Sequence, residues 1–168
     1  MPSPIFSHLL GTLALIGMFF SIAIFMNFIG WISYLEAQKA RLSEIAESVA
    51  REIVEIVSVH TLGEGGFTYM NLNIPQTIGS SGYTIQLEEG GENRIIVRVY
   101  LQTYDVIRVV VVPNFGEGNV RVIDGEYEER GLIYSYRLNV PCNNPVVIVK
   151  RAVVNNQVIY YIALGRRG

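Results

Sequence analysis

The sequence predicts an α+β fold. A single long N-terminal helix, membrane-type in its first half and amphipathic in its second, packs on an antiparallel β-sandwich or barrel-like head. Three observations carry this expectation. No Asp, Glu, Lys or Arg occurs from Met1 to Leu35, and all 13 basic and 15 acidic side chains lie from Glu36 onward. Apolar residues then recur at helical spacing, with no Gly or Pro to interrupt them, as far as Gly63. From Phe67 the period changes to short runs rich in Val, Ile, Tyr and Thr, separated by turn residues. The chain divides accordingly into a transmembrane segment, residues 1–35, an amphipathic continuation, 36–62, and a β-rich head, 63–168.

The first segment reads as a membrane helix. Ile5 to Leu35 gives 31 uncharged positions, where a bilayer span needs about 20. A cleavable secretory signal fits badly, because there is no basic n-region, the apolar part is too long and no small-residue cleavage site follows. As a helix the run would measure roughly 46 Å against about 30 Å of hydrocarbon, so tilt or packing against like helices must absorb the excess. Gly11, Ala14, Gly17 and Ser21 fall at steps of three, three and four on one side, which suits close approach of helix backbones in lipid. Asn27 lies near Trp31 and Tyr34, an interfacial aromatic pair. Charge bias around the span is small: Lys39 and Arg41 on one flank face only the α-amino group and His8 on the other. Taken alone, that bias places the C-terminal part in the cytoplasm.

Beyond Leu35, Leu42, Ile45, Val49, Ile53 and Ile56 recur at steps of three and four, with Ala46, Ala50 and Val57 widening the stripe. Glu44, Glu47, Arg51, Glu52 and Glu55 fall largely off it, and Glu47–Arg51 has the i,i+4 spacing of an ion pair. One helix of some 55 residues, from about Ile5 to about Val59, follows, with the stripe as its helix-to-head packing surface. His60 at its end suits a cation beside the C-terminal dipole.

The head is expected to hold eight strands: Phe67–Ile74, Tyr83–Glu88, Arg94–Tyr100, Val106–Val112, Asn119–Ile123, Leu132–Asn139, Val146–Val154 and Val158–Leu164. Asn155-Asn156 reads as a two-residue hairpin turn and Asp124-Gly125 as a turn. Arg94 to Tyr100 alternates, as a sheet with one packed and one wet side requires, whereas Val109–Val112 reads as buried on both faces. Tyr100, Tyr104, Tyr127, Tyr134, Tyr136, Tyr160 and Tyr161 lie in or beside strands, where β propensity accounts for most of them and protein contacts for a few.

Chemistry is not evident. His8 and His60 are the only histidines, and no metal-ligand spacing, nucleophile elbow or catalytic carboxylate pair can be written. Glu126, Glu128 and Glu129 read as a solvated loop, Asp105 as an inter-strand residue, and GEGG at 63–66 lacks the context of a phosphate loop. Cys142 is the only cysteine, which excludes an intrachain disulfide and leaves it as a small apolar filler. A net charge of −2 with no basic block excludes a nucleic-acid partner on charge grounds. The expectations are no enzyme activity, no catalytic or metal residues and no cofactor.

The charge-free helix continuing into an amphipathic half and then a β head resembles the type IV pilin architecture, its archaeal branch most closely. The opening SPIFSHLLGTLALIG from Ser3 is similar to the start of mature archaeal pilins. LNIPQTIGSSGYTIQL, with Pro75, Gly79 and Gly82-Tyr83, is similar to a segment that follows the helix in archaeal pilin-like proteins. The resemblance covers about the first 90 residues. It implies a cell-surface filament with adhesive roles, self-association through the N-terminal helix, a head outside the membrane, and other pilin-like or cell-envelope proteins as partners. Only Met1-Pro2 precede Ser3. Either the family's leader lies upstream or the chain is unprocessed, and an unprocessed chain suits a membrane-anchored component better than a major subunit. The glutamate near the mature N-terminus of bacterial pilins is absent, as in archaeal relatives. The other reading is a membrane-anchored accessory protein with an Ig-like head, similar to archaellum stator-type components that contact an S-layer.

Overall fold

The computed structural model describes residues 4–63, 65–91, 94–102, 107–111, 115 and 119–168. Its fold is α+β, as read from the sequence. Helix α1 runs without interruption from Pro4 to Leu62 and is followed, among the described residues, by β strands. Contacts divide the chain into Met1–Gln38 and Lys39–Gly168. The second half of α1 therefore belongs with the strands, and the apolar segment is a unit of its own.

Among the described residues ten strands form two sheets. β1 (Phe67–Asn71), β9 (Pro145–Val154), β10 (Gln157–Arg167), β7 (Leu132–Ser135) and β6 (Glu126–Glu129) lie in that order in the larger sheet. β5 (Val120–Val122) joins the same sheet against β10. The smaller sheet runs β4 (Arg108–Val111), β3 (Ile95–Leu101), β2 (Tyr83–Glu89), β8 (Arg137–Val140). β10 carries two partners along the edge away from β9: β5 beside Tyr160–Ile162 and β7 beside Leu164–Arg167. The β5–β10 pairing is parallel, the one departure from antiparallel pairing among the described strands.

Two tight turns follow from residues that adopt positive φ. Asn155 (φ 50°) and Asn156 (φ 63°) join β9 to β10, and Arg130 (φ 56°) and Gly131 (φ 75°) join β6 to β7. Both are two-residue loops with left-handed central residues, whose twist matches that of the flanking strands.

The smaller sheet has one packed face, where Tyr83, Ile85, Leu87, Ile95, Val97, Val99, Leu101, Leu138 and Val140 are all buried. Gln86, Glu88, Arg98 and Tyr100 on its other face are half-exposed, with Arg98 bridged to Glu88 at 2.8 Å. The larger sheet is buried on both faces at its centre. Val147, Val149, Ile162 and Leu164 share the face of Thr68, which contacts α1. On the reverse face Val146, Ile148, Ala163, Leu132 and Tyr134 cluster with Phe67 and Ile123.

That reverse face is covered because the sheet coils. Lys150 on β9 reaches Glu129 on β6 at 2.9 Å although two strands lie between them, and Arg130 sits 5.2 Å from the Phe67 ring. The β6–β7 hairpin thus folds back over β1 and β9 without closing a barrel among the described residues. Gly165 permits it. A Cβ there would lie 2.7 Å from the Ile133 carbonyl oxygen and 2.8 Å from Tyr134 Cβ.

Several expectations change. Leu132–Asn139 is two strands in different sheets, because the Ser135 hydroxyl donates to the Arg137 carbonyl and accepts the Arg137 N–H across a bend at Tyr136. Glu126–Glu129 is strand β6 rather than a loop, held by its hairpin with β7. Val110 is 46% exposed, not buried on both faces, because β4 lies at a sheet edge. β1 stops at Asn71 and β10 extends to Arg167. Tyr104, Asp105, Val106 and Val112 lie outside the described residues.

Gly165→Ala is expected to destabilise the chain by about 1–3 kcal/mol through overpacking. Gly66→Ala, where an added Cβ meets nothing within 4 Å, should leave thermal unfolding of the detergent-solubilised chain nearly unchanged. Equal melting of the two variants would contradict the coiled-sheet account.

Candidate functional site: the long helix and its buried stripe

From Pro4 to Tyr34, the side chains of α1 are exposed all round. Ile5, Phe6, Leu9, Leu13, Phe19, Phe25 and Trp31 are all exposed, and an added Cβ at Gly11, Gly17 or Gly30 would touch nothing within 4 Å. Ala14 and Ser21 are exposed as well. Such a surface is not stable in water, since it offers no polar face. Three of its polar side chains bond within the helix: Thr12 Oγ1 donates to the His8 carbonyl, Ser21 Oγ to Gly17 and Asn27 Nδ2 to Ala23, each at 2.9 Å. Back-bonding to the i−4 carbonyl lets these side chains enter hydrocarbon without an unpaired donor. The segment is long and apolar enough to cross a membrane and is a candidate anchor.

In the second unit the helix changes character. Leu42, Ile45, Val49, Ile53 and Ile56 are buried, with Ala46, Ala50 and Val57 beside them. The intervening Glu44, Glu47, Arg51 and Glu55 are exposed. Glu47 accepts from the Ser43 hydroxyl at 3.3 Å, and no Glu47–Arg51 ion pair forms. The stripe meets the head at two polar points. Glu52 Oε1 accepts the Asn73 N–H at 3.4 Å while its Oε2 is buried without a partner. Burial pushes the Glu52 carboxyl above its ordinary value, the Asn73 bond opposes this, and Glu55 adds repulsion in the same direction as burial.

The second point is His60. Sequence reasoning placed a cation here, but the ring is only 3% exposed. Burial, then the nearby Arg151 charge, hold the imidazole below its ordinary value, so desolvation outweighs the helix dipole. His60 Nδ1 lies 2.7 Å from Thr68 Oγ1 on β1, and the Tyr160 ring meets it edge-on at 5.8 Å. This contact was missed, though its signal was present: His60 lies four residues past Ile56 and continues the stripe.

The segment after β1 is fixed by Tyr83, whose hydroxyl donates to the Pro75 carbonyl and whose phenol burial pushes well above its ordinary value. Cys142 is half-buried, its N–H donating to Gln76 Oε1, and burial raises its thiol. Tyr127 is 49% exposed and stacks on buried Tyr134, whose hydroxyl donates to Glu129. Tyr136 is also exposed, whereas Tyr100, Tyr160 and Tyr161 are half-buried. Among the described residues no three His, Cys, Asp or Glu side chains converge as a metal site would need.

Two measurements follow. Ile53→Ala should cost about 2–5 kcal/mol of stability in the β-bearing unit, against little for exposed Glu55→Ala, read by denaturant unfolding. Because the folded Glu52 holds its proton to higher pH than an unfolded one, its contribution is full below the ordinary value of 4.5 and is lost as pH rises through the raised value. Relative to Glu52→Gln, the wild-type chain should therefore lose stability as pH rises above that point. A parallel pH dependence in the two proteins would remove Glu52 from the account.

No family model, curated protein or solved structure matches this chain.

Proposed function

We propose that the chain is a structural subunit of an extracellular type IV pilus-like filament of archaeal type, its apolar helix segments bundled as the core and its β heads forming the outer wall. One observation carries this reading. A helix exposed and apolar over its first half continues, with no Gly or Pro between Trp31 and Ile53, into a half that forms the core of a β head. Bundled copies would cover the exposed side chains and use a helix longer than a bilayer requires. A loop would free the head from its anchor, whereas repeated assembly needs a fixed junction. No catalysis and no cofactor belong to this role.

The second reading is a membrane-anchored accessory protein, favoured by the internal bonding of Thr12, Ser21 and Asn27, which suits a helix that stays in lipid alone. The two readings separate on a Gly-Pro insertion between Tyr34 and Glu36. The filament reading expects assembly to be lost while the head keeps its β-sheet circular dichroism and protease resistance. Survival of assembly, or mass spectrometry finding no trace of the chain in purified native filaments, would put the accessory reading ahead.

A further inference from the structure

The last turn of α1 is joined to the sheet through one titratable side chain. His60 is almost fully buried, and its Nδ1 is matched to Thr68 Oγ1 on β1. Its Nε2 is buried with no hydrogen-bond partner among the described residues. Arg151 on β9, directly across from Tyr160 on β10, has a buried Nε in the same condition. A neutral imidazole tolerates this setting, because an unprotonated Nε2 needs no acceptor while Nδ1–H donates to Thr68. A protonated one does not: it would add a second N–H with no acceptor and a positive charge beside Arg151 in a poorly solvated place.

The surroundings offer little to offset that charge. β1 presents Thr68, an uncharged hydroxyl. β10 presents the Tyr160 phenol and β9 the Arg151 cation. On α1 itself, Ile56 and Val57 occupy the preceding turn on the same face, and Glu52 and Glu55 are further back. Glu64 lies outside the described residues. Leu62, next to the junction, is 90% exposed, and Val59 is exposed as well, so few apolar contacts besides His60 hold the last turn down.

We propose that His60 is an acid-sensitive latch, whose protonation releases the last turn of α1 and the start of β1 from each other while the Leu42–Ile56 stripe stays docked. The device is local. It loosens the chain leaving the helix, residues 57–63 and 65–68, without unfolding the head. It is independent of whether the chain assembles into filaments, since every group in it belongs to one head.

The direction follows from linkage. The unfolded imidazole takes up its proton near the ordinary 6.5, the docked one only at lower pH. The latch is therefore fully closed above that value and weakens as pH falls below it.

The test uses the full-length chain in detergent micelles. Amide hydrogen exchange of residues 57–68, corrected for intrinsic rates, should show protection falling about tenfold between about pH 7.5 and about pH 5, with the Leu42–Ile53 amides unchanged. His60→Gln should abolish the pH response of the segment, and Glu64→Gln should leave it intact. The imidazole NMR titration of the wild-type chain should place His60 below the ordinary 6.5, so the proposal stays testable if His60→Gln misfolds. Three results would overturn it: a wild-type segment whose protection ignores pH, the same response in His60→Gln, or a response lost in Glu64→Gln.

Discussion

Everything in this fold depends on one property of the α-helix: it satisfies its own backbone hydrogen bonds. A strand or loop cannot move from a hydrocarbon environment into a protein core without finding new partners for its N–H and C=O groups. A helix can, and between its two halves α1 changes only its side chains. Up to Leu35 they are uncharged on every side, and from Leu42 they form a buried stripe with charges opposite. The helix continues from Pro4 to Leu62, with no Gly or Pro between Trp31 and Leu62.

Coiling of the larger sheet solves a second problem, set by its size. A sheet of six strands with helix contact on one face leaves the other face wet, yet Val146, Ile148 and Ala163 there are apolar. The chain covers them with its own β6–β7 hairpin, using Leu132 and Tyr134, and ties the flap with Lys150–Glu129 and the Arg130 contact to Phe67. Both members of the ion pair are partly solvated, so its contribution is small. The buried apolar cluster supplies the stability, and the charges define where the flap rests. Gly165 marks the point where backbone and side chains come too close for a Cβ.

Much of this was legible in the sequence, for reasons particular residues make plain. Charge absence and the spacing of Leu42, Ile45, Val49, Ile53 and Ile56 are local periodic signals, and so is the Asn155-Asn156 turn. Where the reading failed, the cause was tertiary. Leu132 to Asn139 alternates without a Gly or Pro, so nothing local marks the bend at Tyr136, which Ser135 makes by bonding to Arg137. Glu126–Glu129 is too acidic to read as a strand until β7 pairs with it. The apolar neighbours of Val110 suggest burial, but strand order, not composition, decides which strand becomes an edge. His60 was read from its position on the dipole, and the ring contacts that bury it come from β1 and β10, 8 and 100 residues away in sequence.

The central claim is that copies of this chain meet through the charge-free half of α1. In a Cys142→Ser background, Ala14→Cys places a single thiol among Gly11, Gly17 and Ser21 on one side of the helix. Co-expressed with chains bearing Gly11→Cys, Gly17→Cys or Ser21→Cys and mildly oxidised in native membranes or filaments, it should give a disulfide-linked dimer with at least one of them, since helical assembly joins unlike positions. A cysteine on the opposite side of the helix, at Ile16, should give far less. Monomer from Ala14→Cys, or equal cross-linking from both positions, would contradict a specific helix contact and leave the segment as an anchor surrounded by lipid.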